Sequence, residues 1–133
     1  MSTRYDVDAL RAGERGRYRL TARLLDDYRC ELVAEGPTGI HVATADDLFK
    51  ALLVIRRDIE PHGWRLAVNG ARRDTWPSGM LRDQLDGATV YVLPPDPHQL
   101  PETVATFDPA PEDLLATVAE QEASWEAWRR LPR

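Results

Sequence analysis

The sequence predicts a single α+β domain, with a mainly antiparallel sheet of about four to six strands and two main helices, at about 45–60 and 110–130, packed on it. Two neighbouring runs, 17–25 and 28–35, alternate apolar and polar residues with the period of a half-buried strand. The two helical segments instead carry apolar residues at three- and four-residue spacing. With 133 residues, the chain is long enough for one hydrophobic core.

Residues 1–16 are polar and contain Gly13 and Gly16. They predict a flexible lead-in or a short helix over 7–11. The alternation that follows predicts a β-hairpin with a three-residue loop at 25–27. This loop places all apolar positions on one face, whereas a loop one residue shorter would place them opposite charges.

In the predicted register, Leu24 lies opposite Tyr28, and Arg17 lies opposite Glu35 on the solvent face. A turn at 36–39 and a short strand at 40–43 are predicted next.

The first main helix is predicted to begin at a capping box, since Asp47 follows Thr44 by three positions. It is predicted to end near Ile59, because the sequence Glu-Pro-His-Gly at 60–63 cannot continue it. Its apolar stripe consists of Leu48, Ala51, Leu52, Ile55 and Ile59. The opposite side, predicted to face water, consists of Lys50, Arg56, Arg57, Asp58 and Glu60.

The central part of the chain contains two further predicted strands, 64–68 and 88–93. The first alternates, whereas the second is apolar at almost every position, as in a central strand covered on both faces. Asn69-Gly70 is predicted to end the first strand, since both residues tolerate positive φ. Ser78 is predicted to cap a short helix at 79–85.

Six of the ten prolines lie in 94–111, which predicts an extended strap containing an edge strand at 104–107. The segment 108–112 combines a capping aspartate with early prolines and acids, so the last helix is predicted to start there and to end near Arg130. Its stripe consists of Leu114, Val118, Gln121, Trp125 and Trp128.

Composition narrows the classes of function. The single cysteine excludes an internal disulfide and a cysteine-built zinc site. No apolar run reaches membrane-spanning length, and the N-terminus lacks a secretory signal, so a cytoplasmic protein without membrane contact is expected. No metal site or cofactor is predicted, because no two histidines have ligand spacing and no phosphate loop or dinucleotide fingerprint is present.

The net charge of −5 lies wholly in the C-terminal segment from Pro94 onward, because acidic and basic residues are equal in number before it. Direct nucleic-acid binding would require the opposite sign, so none is expected.

An arginine-rich stretch is the first candidate site. Arg72, Arg73 and Arg82 flank the predicted helix start at Ser78, where free N–H groups favour anions. The candidate residues for binding an anion or a partner are Arg72, Arg73, Trp76, Ser78, Arg82 and Asp83. Alternatively, nearby acids neutralise the arginines, namely Asp74, Asp83 and Asp86, or the arginines pack against a partner.

The last helix is the second candidate site. Its two tryptophans either close the core or, if Trp128 is exposed at the acidic helix end, anchor a partner. The candidate partner-binding patch consists of Glu120, Glu122, Trp125, Glu126 and Trp128.

The central motif resembles a family of small bacterial proteins with an NGA…PSGM-x-RD…G…Y core, a Val/Phe/Asp segment and a C-terminal helix with Glu-Gln and Trp. The core residues here are Asn69, Gly70, Ala71, Arg72, Pro77, Ser78, Gly79, Met80, Arg82, Asp83, Gly87 and Tyr91. The downstream part is matched by 104–108, Val118, Glu120, Gln121 and Trp128. The likeness covers roughly 46–128, and Gln84-Leu85 stands where family members tend to have Met-Gly. The resemblance implies an immunity-like binding role in bacterial toxin or secretion systems and supplies no catalytic residue.

These observations predict a non-enzymatic protein-binding module of the bacterial cytoplasm, an immunity protein that neutralises a cognate toxin by occlusion. The expected partner is another protein, such as a basic toxin domain, because an acidic segment on a neutral body would steer it. The alternatives are a small enzyme or an anion- or nucleotide-sensing module that uses Arg72, Arg73 and Arg82, and a regulator or scaffold of a secretion assembly.

Overall fold

A five-stranded antiparallel sheet with the spatial order β4-β3-β2-β1-β5 is the largest element of the computed structural model, which describes all residues from Met1 to Arg133. Its strands are β1 (Ser2–Arg11), β2 (Glu14–Leu24), β3 (Cys30–Gly36), β4 (Gly39–Ala45) and β5 (Arg65–Leu66). The first four strands follow one another as hairpins, and β5 pairs with β1. The main core lies on the inner face of this sheet.

A three-stranded antiparallel sheet with the order β6-β7-β8 forms the second layer. Its strands are β6 (Thr75–Trp76), β7 (Thr89–Val92) and β8 (Glu102–Ala105), and the helices are α1 (Leu48–Ile59), α2 (Gly79–Gln84) and α3 (Val118–Arg129). One side of α1 packs in the main core, while Phe49 and Leu53 pack with Val90 of β7 and Val118 of α3. Because both sheets share α1, the chain forms one domain, and the predicted α+β class is confirmed.

The prediction of a flexible or helical lead-in at 1–16 is wrong, since these residues form β1, its turn and the start of β2. Ala12 and Gly13 make the turn with φ of 43° and 87°. Val7 and Ala9 are buried, although Asp6 and Asp8 alternate with them. Charged residues at every second position made the run look polar on average, although one of its faces belongs to the core.

The β2–β3 hairpin has a three-residue loop, but at 26–28 rather than at 25–27. The N–H of Leu25 donates to the carbonyl of Arg29 at 2.7 Å, and the N–H of Tyr28 donates to the carbonyl of Leu25 at 3.0 Å. Tyr28 adopts a left-handed φ of 63°, a conformation that glycine or asparagine favours. The turn residue was therefore not recognisable from its type.

The β2–β3 register consequently differs from the predicted one by two positions. Leu24 lies opposite Cys30, and Glu35 lies opposite Arg19 rather than Arg17. The apolar face is unchanged, because side chains repeat every two residues along a strand. On the solvent face, Arg23 forms an ion pair with Glu31 at 2.7 Å.

Helix α1 ends at Ile59 as predicted, and its predicted apolar stripe is buried. Its start differs, because β4 extends to Ala45 and includes Thr44. Asp47 caps the helix instead, its carboxylate accepting the N–H of Lys50 at 2.8 Å. Strand pairing with β3 thus displaces the predicted capping box.

The prediction that Arg56 faces water is wrong, as its side chain is 2% exposed. The guanidinium donates to the carbonyls of Gly70 at 3.3 Å and Ala116 at 2.9 Å and to the side-chain carbonyl of Gln121. The carboxylate of Glu60 lies 3.6 Å away. Burial lowers the pKa of Arg56 to about 10.

Gln121 continues this polar network into the small sheet. Its side-chain N–H groups donate to the carbonyls of Gly70 at 2.9 Å and Thr75 at 3.1 Å. The Arg56–Gln121 pair thus joins α1, the 69–71 turn, β6 and α3. A helical wheel could have indicated that Arg56 is buried, since Arg56 lies four residues after Leu52, on the buried side of α1.

Position 70 requires glycine because a side chain would not fit there, and not because the backbone has a positive φ. Neither Asn69 nor Gly70 has a positive φ. A Cβ at Gly70 would lie 2.6 Å from Cγ2 of Thr106 and 2.8 Å from Cδ2 of Leu52. The N–H of Gly70 also donates to the carbonyl of Thr106 at 2.8 Å, so the turn is held against β8 and its continuation.

The predicted strap at 94–111 contains β8 as an edge strand, two residues earlier than expected. Helix α3 begins at Val118 rather than near residue 110. Thr117 and Glu120 form its capping box. Pro109 and Leu115 instead form bridges with Val68 and Arg72, which hold 109–115 away from a helical conformation.

No helix in the structure is both long enough and apolar enough to cross a membrane.

Cys30 yields a direct test of the burial of the main sheet. It is buried, and burial raises the pKa of its thiol to about 11, with a smaller contribution from the negative charges of Asp86 and Asp47. At pH 8 we expect iodoacetamide to alkylate Cys30 at least about 100-fold more slowly in the native protein than in urea, because the thiolate is the reactive form. Mass spectrometry of timed samples measures both rates. Equal rates would contradict this burial.

Candidate functional site

Three half-buried tryptophans form a stack along one side of the molecule. Trp76 and Trp125 stack at 5.7 Å between ring centroids with their planes 7° apart, and Trp128 stacks on Trp125 at 5.9 Å. Beneath them, the buried ring of Phe49 meets Trp76 edge-on at 5.0 Å. We call Trp76, Trp125 and Trp128 the tryptophan ladder.

Tertiary hydrogen bonds position the ladder. Gln121 of α3 is bound to Thr75 of β6, and the next residue of β6 is Trp76. Trp125 lies one helical turn after Gln121, so the same contact brings it onto Trp76. At the far end, the indole N–H of Trp128 donates to the carbonyl of Pro94 at 2.7 Å. Both ends of the ladder are therefore held in place.

Two arginines lie over the aromatic rings. The guanidinium of Arg82 is 5.2 Å from the ring centroid of Phe49 and 5.7 Å from that of Trp76. It also forms an ion pair at 3.3 Å with Asp47, the cap of α1. Arg133 lies 4.7 Å over Trp128. Each contact places a cation on an aromatic face, where it is attracted electrostatically.

A groove of about 370 Å³ runs beside the ladder between α1 and α3. Its lining residues are Lys50, Leu53, Arg57, Trp76, Arg82, Glu122, Trp125 and Glu126. We call this the Trp groove. Its wall is aromatic and its rim carries charges of both signs, some of them already paired, as in the Arg57–Glu122 contact.

The structure does not gather the three arginines of the first candidate site. Arg72 makes two hydrogen bonds of 2.8 Å to Asp74, whereas Arg73 donates to the backbone carbonyl of Asp113 at 3.4 Å. Arg82 pairs with Asp47. Arg72 is therefore neutralised by a neighbouring acid, Asp74, as one of the alternatives predicted from the sequence states.

The remaining members of that candidate site have separate places. Ser78 caps α2 as predicted, its hydroxyl accepting the N–H of Leu81 at 3.1 Å. Asp83 is exposed on α2. Trp76 and Arg82 belong to the Trp groove instead.

Two acidic residues of the second candidate site form ion pairs with arginines of this chain. Glu122 pairs with Arg57, and Glu126 lies 3.0 Å from Arg129 and 3.5 Å from Arg130. Hydrogen bonds from the backbone and side chain of Thr117 lower the pKa of Glu120, which completes the cap of α3. The helix surface thus presents balanced charge rather than a purely acidic patch.

Parts of the two candidate sites lie on one surface. The structure brings Trp76 and Arg82 of the first set together with Glu122, Trp125 and Glu126 of the second. Sequence reasoning did not connect them. It also missed the α1 side of the groove, although Lys50, Leu53 and Arg57 have the three- and four-residue spacing of one helix face.

Two of the three histidines form hydrogen bonds with residues two or three positions away in the chain. His41 shares a hydrogen bond of 2.6 Å with Thr38, and His98 lies 3.0 Å from Asp96. The structure contains no group of three or more His, Cys, Asp or Glu side chains arranged to hold a metal ion.

Compared with protein-family models and with curated protein sequences, the chain matches none of them. Some residues of the central motif and of its downstream part have structural roles here. Gly70 makes room for Leu52 and Thr106, and Gln121 binds Arg56. The fold and site define a single-domain α+β protein with an aromatic, charge-rimmed groove between two helices.

Proposed function

We propose that this protein is a non-enzymatic binding module of the bacterial cytoplasm that holds a partner protein in the Trp groove. The observation that carries the proposal is the rigid, half-buried tryptophan ladder, which is bordered by charges of both signs, namely Lys50, Arg57, Arg82, Glu122 and Glu126. Tryptophan and arginine are the side chains that most often dominate protein interfaces. Because the ladder is already fixed by Gln121 and Pro94, binding would cost little side-chain entropy.

Within this proposal, the partner is a cognate toxin domain with a basic surface, and the protein acts as an immunity protein by occlusion. The net charge of −5 would attract such a partner over a distance. The association rate would then fall steeply with added salt, since salt screens long-range attraction. A rate that stays flat between low and high salt would contradict electrostatic steering.

The test compares Trp125→Ala with Tyr28→Ala in the native bacterium. Tyr28 is an exposed aromatic residue on the β2–β3 loop, away from the groove, and serves as the matched control. We expect the tagged wild type and Tyr28→Ala to co-purify with a basic protein at equal stoichiometry. Trp125→Ala should weaken this binding by at least about 2 kcal/mol, roughly thirtyfold in Kd.

A second readout connects binding with neutralisation. Expression of the captured protein alone should arrest growth, co-expression with the wild type should restore it, and co-expression with Trp125→Ala should not. Melting curves of both variants establish that they are folded. Wild-type affinity in folded Trp125→Ala would refute the assignment of the groove.

A further inference from the structure

Strand β4 is an open edge of the five-stranded sheet. It pairs with β3 on one side, and the principal elements packed on it are β3 and α1. Its sequence, GIHVATA, contains no charged residue and no proline over seven positions. Natural sheets commonly protect such edges with charges, prolines or very short strands, because an open edge pairs with other chains.

The other sheet edges in this molecule have that protection. β5 and β6 contain two residues each, and β8 contains four, including Glu102. β4 is therefore the only long and uncharged edge in the structure. This contrast within one chain distinguishes β4 from an ordinary exposed strand.

The unused backbone groups of β4 belong to alternate residues. Gly36 and Gly39 flank a two-residue turn, so they form a hydrogen-bonded pair, and the hydrogen-bonded pairs repeat at every second position of the β3–β4 ladder. The N–H and C=O groups of Ile40, Val42 and Thr44 consequently point away from β3. The side chains of Ile40 and Val42 are 68% and 57% exposed.

We propose that two copies of this chain pair through their β4 edges, antiparallel and about a two-fold axis at Val42. Val42 would lie opposite the partner's Val42, and Ile40 opposite the partner's Thr44. Every free N–H and C=O at these three positions then meets a complementary group. The two five-stranded sheets continue into one another across the dimer.

A second copy fits this edge for three reasons. Val33 lies beside Val42 on the solvent face, so pairing at Val42 continues the apolar row from both copies across the seam. Each copy carries a net charge of −5, and β4 is an uncharged strip where two such molecules meet without like charges on the contacting strands. A two-fold interface also requires only that the strand complement itself.

Light scattering and sedimentation of the purified protein test the proposal. We expect the wild type to have twice the chain mass of 15.0 kDa at micromolar concentration and to dissociate on dilution. Val42→Lys should raise the dimer Kd at least 100-fold. Val54→Lys is the control, since Val54 is an exposed valine on α1 (38% exposed), and it should remain dimeric. A monomeric wild type, or a dimer that survives Val42→Lys, would overturn the proposal.

Hydrogen exchange examines the same register residue by residue. The amides of Ile40, Val42 and Thr44 should become protected as concentration rises, whereas those of His41 and Ala43 should be protected at all concentrations by their bonds to β3. Fast exchange at Val42 under dimeric conditions would overturn the proposed pairing. Thr44→Pro removes an outward N–H and no hydrogen bond to β3, so it should yield a folded monomer. A folded Thr44→Pro dimer would count against the seam. Because Trp125→Ala leaves β4 untouched, it should stay dimeric, which separates this inference from the proposed function.

Discussion

Replacing Arg56 with alanine is expected to lower the free energy of unfolding by about 3–5 kcal/mol, the usual cost of removing one partner from a buried ionic network. The substitution would leave the carbonyls of Gly70 and Ala116 and the amide of Gln121 without their shared donor. It would also leave the largely buried carboxylate of Glu60 without its ion pair. Urea denaturation followed by circular dichroism measures the change.

Arg57→Ala is the matched control for this result. Arg57 is the next residue along the same helix, is 52% exposed and pairs only with Glu122 at the surface. Its loss should cost less than about 1 kcal/mol, because exposed ion pairs contribute little. If the two variants were equally stable, the Arg56 network would not be what holds α1 and α3 together.

Gly70→Ala is expected to destabilise the fold by at least about 2 kcal/mol through overpacking. The added methyl group would overlap side-chain atoms of Thr106 and Leu52, both of which are buried. The turn cannot move away easily, since the carbonyl of Gly70 accepts hydrogen bonds from both Arg56 and Gln121. The midpoint of urea unfolding measures the effect.

Gly79→Ala serves as the comparison, because a Cβ at Gly79 meets no atom within 4 Å and the position has no positive φ. Alanine there should be neutral or should stabilise α2 by up to about 1 kcal/mol, since alanine loses less backbone entropy than glycine in a helix. An unchanged midpoint for Gly70→Ala would show that the turn can yield without cost.

Sequence patterns predicted the structure correctly where the residues that determine it are close together in the chain. Helix α1 ends at Ile59, as Glu-Pro-His-Gly predicts, because proline and glycine act on their immediate neighbours. Strand alternation likewise identified the buried face of β2 and β3. It could not choose between registers two residues apart, since both bury the same side chains.

Two local signals were overridden by pairing elsewhere in the chain. The acidic, proline-rich segment before Leu114 has the composition of a helix start, yet Pro109 and Leu115 bridge to Val68 and Arg72. Thr44 has the spacing of a helix cap, but it is paired in β4 with Glu31. In the segment before α3, the N–H groups of Ala110 and Ala116 donate to the carbonyls of Ala67 and Ala71, so they are not available to a longer helix.

The candidate site likewise combines residues that the sequence identifies with a contact that only the fold creates. Tryptophan and arginine were recognisable by type as binding residues, but the sequence divided them between two sites. One contact, from Gln121 to Thr75, brings Trp125 against Trp76 and makes them one groove. No pattern within either segment encodes that contact.

The sequence by itself determined the α+β class, the faces of the central hairpin, the C-terminal end of α1 and the residue types suited to a binding surface. Only the tertiary structure decided that Arg56 is buried, that its partner is Gln121 65 positions away, and that the tryptophans stack. The physical reason is the distance along the chain over which each interaction acts. Alternation, capping and turn chemistry act over a few residues, whereas a buried donor finds its acceptor through the packing of the whole domain.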